Sequence, residues 1–361
     1  MSRISFLNQL AATESLYNFG AGVPPLERYA AYNEEDCLAT FLHYFPNAPV
    51  RKYHNSQGFL GEIGQQFFKN DGFQEAEKEH IIVTQGVQEA IALACLLFRN
   101  EPIACFDPCY PGLVDAMSLL GRQPMLLHRE RWMDEIKTIP RGSLFYLSSD
   151  FANPTGKQLT HEERIFLVEW AKKNGFFIFD DATYRFFAID SPQTSLVSMA
   201  PENVFHAVSF SKILAPGLRM GLVHVPKDFI PLFAAAKSNI SLNTSGYNQA
   251  IVGGWLLQNE FSLTAHLFEF KQELAHKKKL LNDLNLSYHG GFFVPMALDK
   301  ELDFDWCAAL LREEDVAVCP MALFSEDRTL RRYLRIAVAQ VSPERMVEGI
   351  MKIHNFAERE H

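Results

Sequence analysis

The chain has 361 residues, 48 % hydrophobic and 21 % charged, which excludes a disordered chain, a collagen or a coiled coil and leaves room for two domains or one large one with an appendage. Acidic residues number 43 against 34 basic ones, for a net charge of −9, which argues against nonspecific binding to nucleic acid or acidic membranes. The longest apolar run, residues 90–98, is too short to span a bilayer, and the N-terminus lacks the basic start and apolar stretch of a secretory signal.

In chain order, residues 1–40 read as irregular, with Gly20, Gly22, Pro24 and Pro25 close together. From residue 80 onward, short apolar runs alternate with helical patterns. Strands are expected at 80–84, 103–107, 124–128, 144–148, 176–180, 204–209 and 222–225, with helices at 88–98 and 162–173. Such alternation predicts an α/β fold built on a largely parallel sheet with helices on both faces. Long helical stretches follow at 247–258 and 260–284, then shorter strands at 292–298, 317–319 and 334–339. The predicted division is an N-terminal arm over 1–40, a large domain over 41–275 and a smaller α+β domain over 276–361. The six cysteines show no paired spacing; Cys95 and Cys319 read as core residues, and Cys105 and Cys109 make a poor zinc pattern. A reducing, cytoplasmic setting is the expectation.

In parallel α/β folds ligands sit beyond the carboxyl ends of the strands, and the residues there are polar and small. Lys212, in SFSKILAPGLRMG, follows an apolar strand. Burial lowers an amine's pKa, and a depressed amine is what Schiff-base chemistry needs. Ser209, Ser211 and Arg219 add hydroxyls and a permanent cation suited to a phosphate; the plainer reading of Lys212 is a surface lysine at a helix start. Asp180-Asp181 ends the strand FFIF, with Tyr184 three residues on. A carboxylate there could ligate a metal, pair with a cation or face a protonated heterocycle, or cap a helix. Gly86-Val87-Gln88 opens a helix, whose free N–H groups favour an anion. Asn153 starts the turn NPTGK, and Tyr110 stands in DPCYPG as a rigid ring or as a loop aromatic over the core. No GxGxxG, GxSxG or HExxH occurs, His161 and His289 are isolated, and no metal site is indicated. These residues together ask for a planar, phosphate-bearing carbonyl compound with a protonatable nitrogen, and pyridoxal 5′-phosphate (PLP) meets those requirements.

With these motifs in this order, the chain resembles the class I/II aminotransferases, PLP enzymes of fold type I, from about Gly20 to the C-terminus. SFSKILAPGLRMG is similar to the family's Schiff-base lysine motif, DFANPTGK to its asparagine motif, and Asp181-Ala-Thr-Tyr184 to its D-x-x-Y. TQGVQEAI and DPCYPG are similar to its phosphate turn and ring-stacking loop, and YLRIAVAQ to the segment with the carboxylate-binding arginine. The forms of the lysine and asparagine motifs resemble a subgroup containing 2-aminoadipate, aromatic and branched-chain aminotransferases and the C-terminal half of GntR-type regulators. About twenty residues precede the family region, which leaves no room for a DNA-binding domain, so nucleic acid is not an expected partner, and the net charge and short apolar runs make a membrane an unexpected one too.

The resemblance implies a large domain with a mostly parallel seven-stranded sheet, and roles for individual residues. Lys212 would form the Schiff base and shuttle the substrate proton, and Asp181 would keep the ring nitrogen protonated. Asn153 and Tyr184 would hydrogen-bond the phenolic oxygen, and Tyr110 would stack on the ring. Gly86, Val87, Gln88, Ser209, Ser211 and Arg219 would hold the phosphate. Arg335, with Asn153 and the Gly22 strip, would bind the substrate, Arg335 as a bidentate carboxylate clamp. Tyr53 would reach a neighbouring subunit's phosphate, making a homodimer the active unit. The implied reaction is ping-pong transfer of an amino group from an L-amino acid to a 2-oxo acid. The alternative on the same site is β-elimination, decarboxylation or oxidation. Departures from the family are Val87 for a serine, Ser148-Ser149 for a proline, Glu62 for an arginine and Met321 for a glycine. Arg28 and Arg185 are candidates to approach a substrate's second acid group, or structural ion-pair partners.

Overall fold

The computed structural model describes residues 3–25 and 32–359. Twelve strands are present among them: β1 (Tyr17–Asn18), β2 (Ile81–Thr84), β3 (Ile103–Asp107), β4 (Met125–His128), β5 (Leu144–Leu147), β6 (Phe177–Asp181), β7 (Val204–Ser209), β8 (Gly221–His224), β9 (Phe293–Ala297), β10 (Val316–Ala317), β11 (Cys319–Pro320) and β12 (Tyr333–Ala337). Seven of them form one sheet in the order β2-β8-β7-β6-β5-β3-β4. All run parallel except β8, which is antiparallel to both neighbours. β5, β7 and β8 are buried along their whole length, as expected for strands covered by helices on both faces. The apolar runs of the sequence therefore fall where the strands were expected, within a residue or two at each end.

The odd direction of β8 has a structural consequence. Its first residue, Gly221, pairs with the last residue of β2, Thr84, and the last residue of β7, Ser209. The entry to β8 thus lies at the sheet edge where the parallel strands finish. Arg219, two residues upstream, arrives beside the turns that follow β2 and β7.

A second sheet, β11-β12-β9, is antiparallel, with Arg335 on its central strand. β1 pairs in parallel with β10, and Ala337 N–H donates to Phe19 O at 2.8 Å. These bonds lay the 17–22 segment against the small sheet. Asn18 fixes the backbone just past β1, its Oδ1 accepting the N–H groups of Gly20 and Ala21 at 3.0 Å each.

Three expectations need correction. The first forty residues are not irregular throughout: helices run over Arg3–Ala12 and Glu34–Tyr44, the second capped by the Asn33 side chain. The stretch expected as one strand at 317–319 is two short strands, because β10 pairs with β1 and β11 with β12. The helix expected from residue 260 starts at Thr264, since Glu260 and Phe261 take left-handed backbone angles of +51° and +59° in φ, which no helix continues through.

The Glu34–Tyr44 helix crosses the Gly246–Gln258 helix at close range. A Cβ added to Gly254 would lie 1.8 Å from the Cys37 carbonyl oxygen, so only glycine allows the crossing. Gly254→Ala should destabilise the protein by about 1–3 kcal/mol, the usual cost of forcing atoms into a packed interior, read as a lowered melting temperature. An unchanged melting temperature would contradict this packing.

Candidate active site

A cavity of about 1060 Å³ opens where the carboxyl ends of the parallel strands meet the small sheet and the N-terminal segment. Its size is that of a pocket for a cofactor together with a substrate. Nearly all of the residues singled out from the sequence converge on it.

Lys212 follows β7, and its side chain faces the cavity. Among the described residues its amine has no hydrogen-bond or ion-pair partner. Its pKa falls from the ordinary lysine value to about 8, first through desolvation, then through repulsion by Arg335 and Arg219, with Asp181 opposing. A far larger share of this amine is therefore neutral near physiological pH than of an ordinary lysine, and the neutral form is the one in which nitrogen has a free lone pair.

Asp181 ends β6 and is buried. Tyr146 Oη donates to its Oδ2 at 2.9 Å. Thr183 donates to its Oδ1 twice, from the hydroxyl at 2.6 Å and the backbone N–H at 3.2 Å. Burial pushes the Asp181 carboxyl up, and these donors offset only part of that rise. Asp180, its neighbour, faces away and pairs with His206 at 3.1 Å. Neither aspartate caps a helix.

The anion end of the cavity is built by three turns. Gly86, the N-cap of the Val87–Leu97 helix, holds φ at +74°, and a Cβ there would stand 2.9 Å from Arg219 Nη2. Arg219 has φ +46°, a left-handed angle uncommon outside glycine, and this turns its side chain back toward Gly86. Its guanidinium donates to Ser211 Oγ at 3.2 Å and to Gln85 O at 3.3 Å. Ser209 Oγ accepts the Ser211 N–H at 3.2 Å. The side chains of Val87 and Gln88 also face the cavity, and Gln88 Oε1 is buried without a partner.

At the other end Arg335 lies buried between rings, its guanidinium carbon 4.7 Å from the Phe293 centroid and 5.0 Å from that of Phe324. It donates to Asn153 Oδ1 at 3.1 Å and to Gly20 O at 2.5 Å, while its Nε has no partner. Tyr184 packs edge-on against Phe292 and Phe293, with centroids 5.2 and 5.1 Å apart. Gly22 lies so close that a Cβ would meet Phe293 at 2.8 Å. Burial raises the pKa of Tyr110 and of Tyr184 above the usual phenol value.

Some residues singled out from the sequence lie elsewhere. Tyr53 is 87 % exposed and outside the cavity. Arg185 is an ion-pair partner, bound to Asp71 at 2.7 Å and Asp150 at 3.1 Å. Arg28 falls outside the described residues. Glu62 pairs with Lys78 at 2.9 Å, away from the cavity. Conversely, Tyr146, Thr183 and Phe293 belong to the site and were not singled out. Thr183 had a signal, a hydroxyl two residues after an aspartate; Tyr146, inside an apolar strand, had none.

The donor set fits PLP. The free N–H groups at a helix start, two serines and an arginine suit a phosphate. A buried carboxylate suits a protonated ring nitrogen, and an unpartnered amine suits a carbonyl. Gln88 Oε1 and Arg335 Nε, both buried without partners, are groups that a ligand would satisfy.

Comparison with known proteins agrees. Residues 50–353 match the family described as Aminotransferase class I and II. The (S)-3,5-dihydroxyphenylglycine transaminase of Amycolatopsis orientalis is 25 % identical over 84 % of this chain and 76 % of its own. The HTH-type transcriptional regulator TauR of Rhodobacter capsulatus is 27 % identical over 77 % of this chain and 60 % of its own. The crystal structure of the α-aminoadipate aminotransferase LysN from Thermus thermophilus, complexed with N-(5′-phosphopyridoxyl)-L-leucine, superposes with a TM-score of 0.83 at 23 % identity, covering 99 % of this chain and 95 % of that one. The chain belongs to the class I and II aminotransferases, enzymes of PLP fold type I that transfer amino groups.

Proposed function

We propose that the residues around Lys212 move an amino group from an L-amino acid to a 2-oxo acid in a ping-pong cycle. The observation that carries this reading is an unpartnered amine, with its pKa lowered to about 8, in the same cavity as Asp181, Arg219 and Arg335. PLP, when bound, supplies a carbonyl to exchange between amines and a protonated ring that draws electrons from the substrate α-carbon.

The chain's own groups do the rest. Gly86, Val87 and Gln88 present helix-start N–H groups to the phosphate, and Ser209, Ser211 and Arg219 complete its hold. Asp181 keeps a proton on the ring nitrogen, with Tyr146 and Thr183 donating to its carboxylate. Tyr110 covers the ring, and Asn153 and Tyr184 hydrogen-bond its phenolic oxygen. Arg335 clamps the substrate α-carboxylate, and its hold on Asn153 ties the two ends of the site together. Lys212 Nζ takes the α-proton and returns it. Phe293, Val23 and Leu7 give the cavity an apolar wall, which suits an aliphatic or aromatic substrate side chain. The same residues could serve elimination or decarboxylation; the family match favours transfer.

Tyr53 we assign to a second copy of the chain. Tyr53 is exposed, as are Tyr44 and Tyr247 at 63 % and 45 %, and Arg51, two residues before Tyr53, donates from Nε to Tyr247 Oη at 3.3 Å. Exposed large aromatics suit an interaction surface, so the proposal is a homodimer with shared sites. A cytoplasmic setting suits the six cysteines, all buried and unpaired. No helix among the described residues is long and apolar enough to cross a membrane. The division into arm, large and small domains is part of the same proposal. The boundary near residue 275 falls within the Thr264–Asp283 helix, which would join the two. The Glu34–Tyr44 helix packs on the large part, so the arm ends before it.

Three outcomes are expected. Capture of PLP by the cofactor-stripped chain should rise with pH and level off above about 8, whereas an ordinary lysine would keep gaining up to about 10.4. Tyr146→Phe removes a donor to the Asp181 carboxylate and so raises that carboxyl's pKa. The acid limb of the kcat/KM profile should move to higher pH, with activity reduced about tenfold. Arg335→Lys loses the bidentate clamp; KM for the amino acid should rise about a hundredfold, while PLP stays bound as judged by its visible absorbance. PLP binding without turnover of any amino acid would instead assign the chain to a ligand-binding role.

A further inference from the structure

Glu89 lies in the first turn of the Val87–Leu97 helix, the turn whose free N–H groups face the anion end of the cavity. An acid at a helix start suits the helix dipole. It opposes a second anion nearby, because like charges in a poorly screened interior repel strongly.

A buried cation meets this conflict. Lys237, on the Ile230–Ser241 helix, has no exposed surface. Its Nζ donates to both carboxylate oxygens of Glu89, at 3.1 and 2.9 Å. Ser241 joins them, donating to Glu89 Oε1 at 2.5 Å and accepting from Lys237 Nζ at 3.2 Å. Glu89 Oε2 accepts the backbone N–H of Gln85 at 2.6 Å. The Gln85 carbonyl then accepts from Arg219 Nη2 at 3.3 Å. One unbroken series of hydrogen bonds therefore runs from a buried ammonium, through a carboxylate and the phosphate turn, to the guanidinium at the anion site.

We propose that Lys237 is a positioning residue for the cofactor phosphate: it cancels the charge of Glu89 and, through Glu89 and its bond to the Gln85 N–H, fixes the Gln85–Gly86 turn so that the N–H groups that follow at the helix start stay free for a dianion. The proposal rests on the reading of the cavity as a PLP site. The positioning has two parts, charge and geometry, and the charge is what separates it from ordinary core packing. Lys237→Met leaves a mostly enclosed carboxylate uncompensated next to a phosphate. Glu89→Gln with Lys237→Met leaves a neutral turn, in which the glutamine oxygen still accepts the Gln85 N–H.

The test is titration of the cofactor-stripped full chain with PLP, and with pyridoxal, which has the ring and carbonyl but no phosphate. Lys237→Met should weaken PLP binding by at least about tenfold and leave pyridoxal binding within about twofold. The double variant should return PLP binding to within about threefold of wild type, because the repulsion has gone. Equal losses for PLP and pyridoxal would overturn the proposal, as would a Lys237→Met variant that binds PLP normally or a double variant no better than the single one. If Lys237→Met does not fold, the double variant decides alone: near-wild-type PLP binding supports the proposal, and a tenfold loss overturns it. Failure of the wild-type chain to bind PLP would count against the site reading itself, not against the part played by Lys237.

Discussion

Lys212, Arg219 and Arg335 face one cavity, where burial first, and then repulsion by the two arginines, holds the lysine amine below its ordinary pKa. Arginines cannot relieve that repulsion by losing a proton, so the lysine is the group that gives up its proton more readily. Much else in the site depends on this. In the proposed reading the neutral form of the amine attacks a carbonyl, and the two fixed cations would meet two anions, a phosphate at one end and a carboxylate at the other. Asp181 provides the opposing charge, and its donors, Tyr146 and Thr183, offset part of the rise that burial imposes on its carboxyl pKa.

The fold assembles these charges from distant stretches of chain. The parallel strands deliver Gly86, Tyr110, Asn153, Asp181 and Lys212 to one edge of the large sheet. The reversed strand β8 puts Arg219 at the same edge, because it starts where β2 and β7 end. Arg335 comes from the small sheet and is tied at once to Asn153 and to Gly20. A single guanidinium thus links the large sheet, the small sheet and the N-terminal strip. A substrate carboxylate arriving at Arg335 would act on all three.

The parts legible in the sequence were those set by local pattern. The buried strands announce themselves as apolar runs, and the polar residues that end them stand out by contrast. Lys212, Asp181 and Asn153 were found for that reason. What escaped depends on tertiary partners. Residues 317–319 read as one strand, but pairing with two different strands splits the stretch. The Arg3–Ala12 helix has no buried residue and no strong apolar face, so no periodicity marked it. Tyr146 looked like any aromatic in a strand until its hydroxyl met Asp181. Lys237, after three alanines in a helix, gave no sign that its ammonium would be buried against Glu89.

The most direct measurement is a single half-reaction on the purified holoenzyme. One L-amino acid at a time is added, and the cofactor's visible absorbance is followed together with the products, in wild type and in Lys212→Ala. The account predicts conversion to the pyridoxamine form with one equivalent of 2-oxo acid and no ammonia in wild type, and no conversion in the variant. Release of ammonia with the original absorbance regained, or conversion by Lys212→Ala at the wild-type rate, would contradict it.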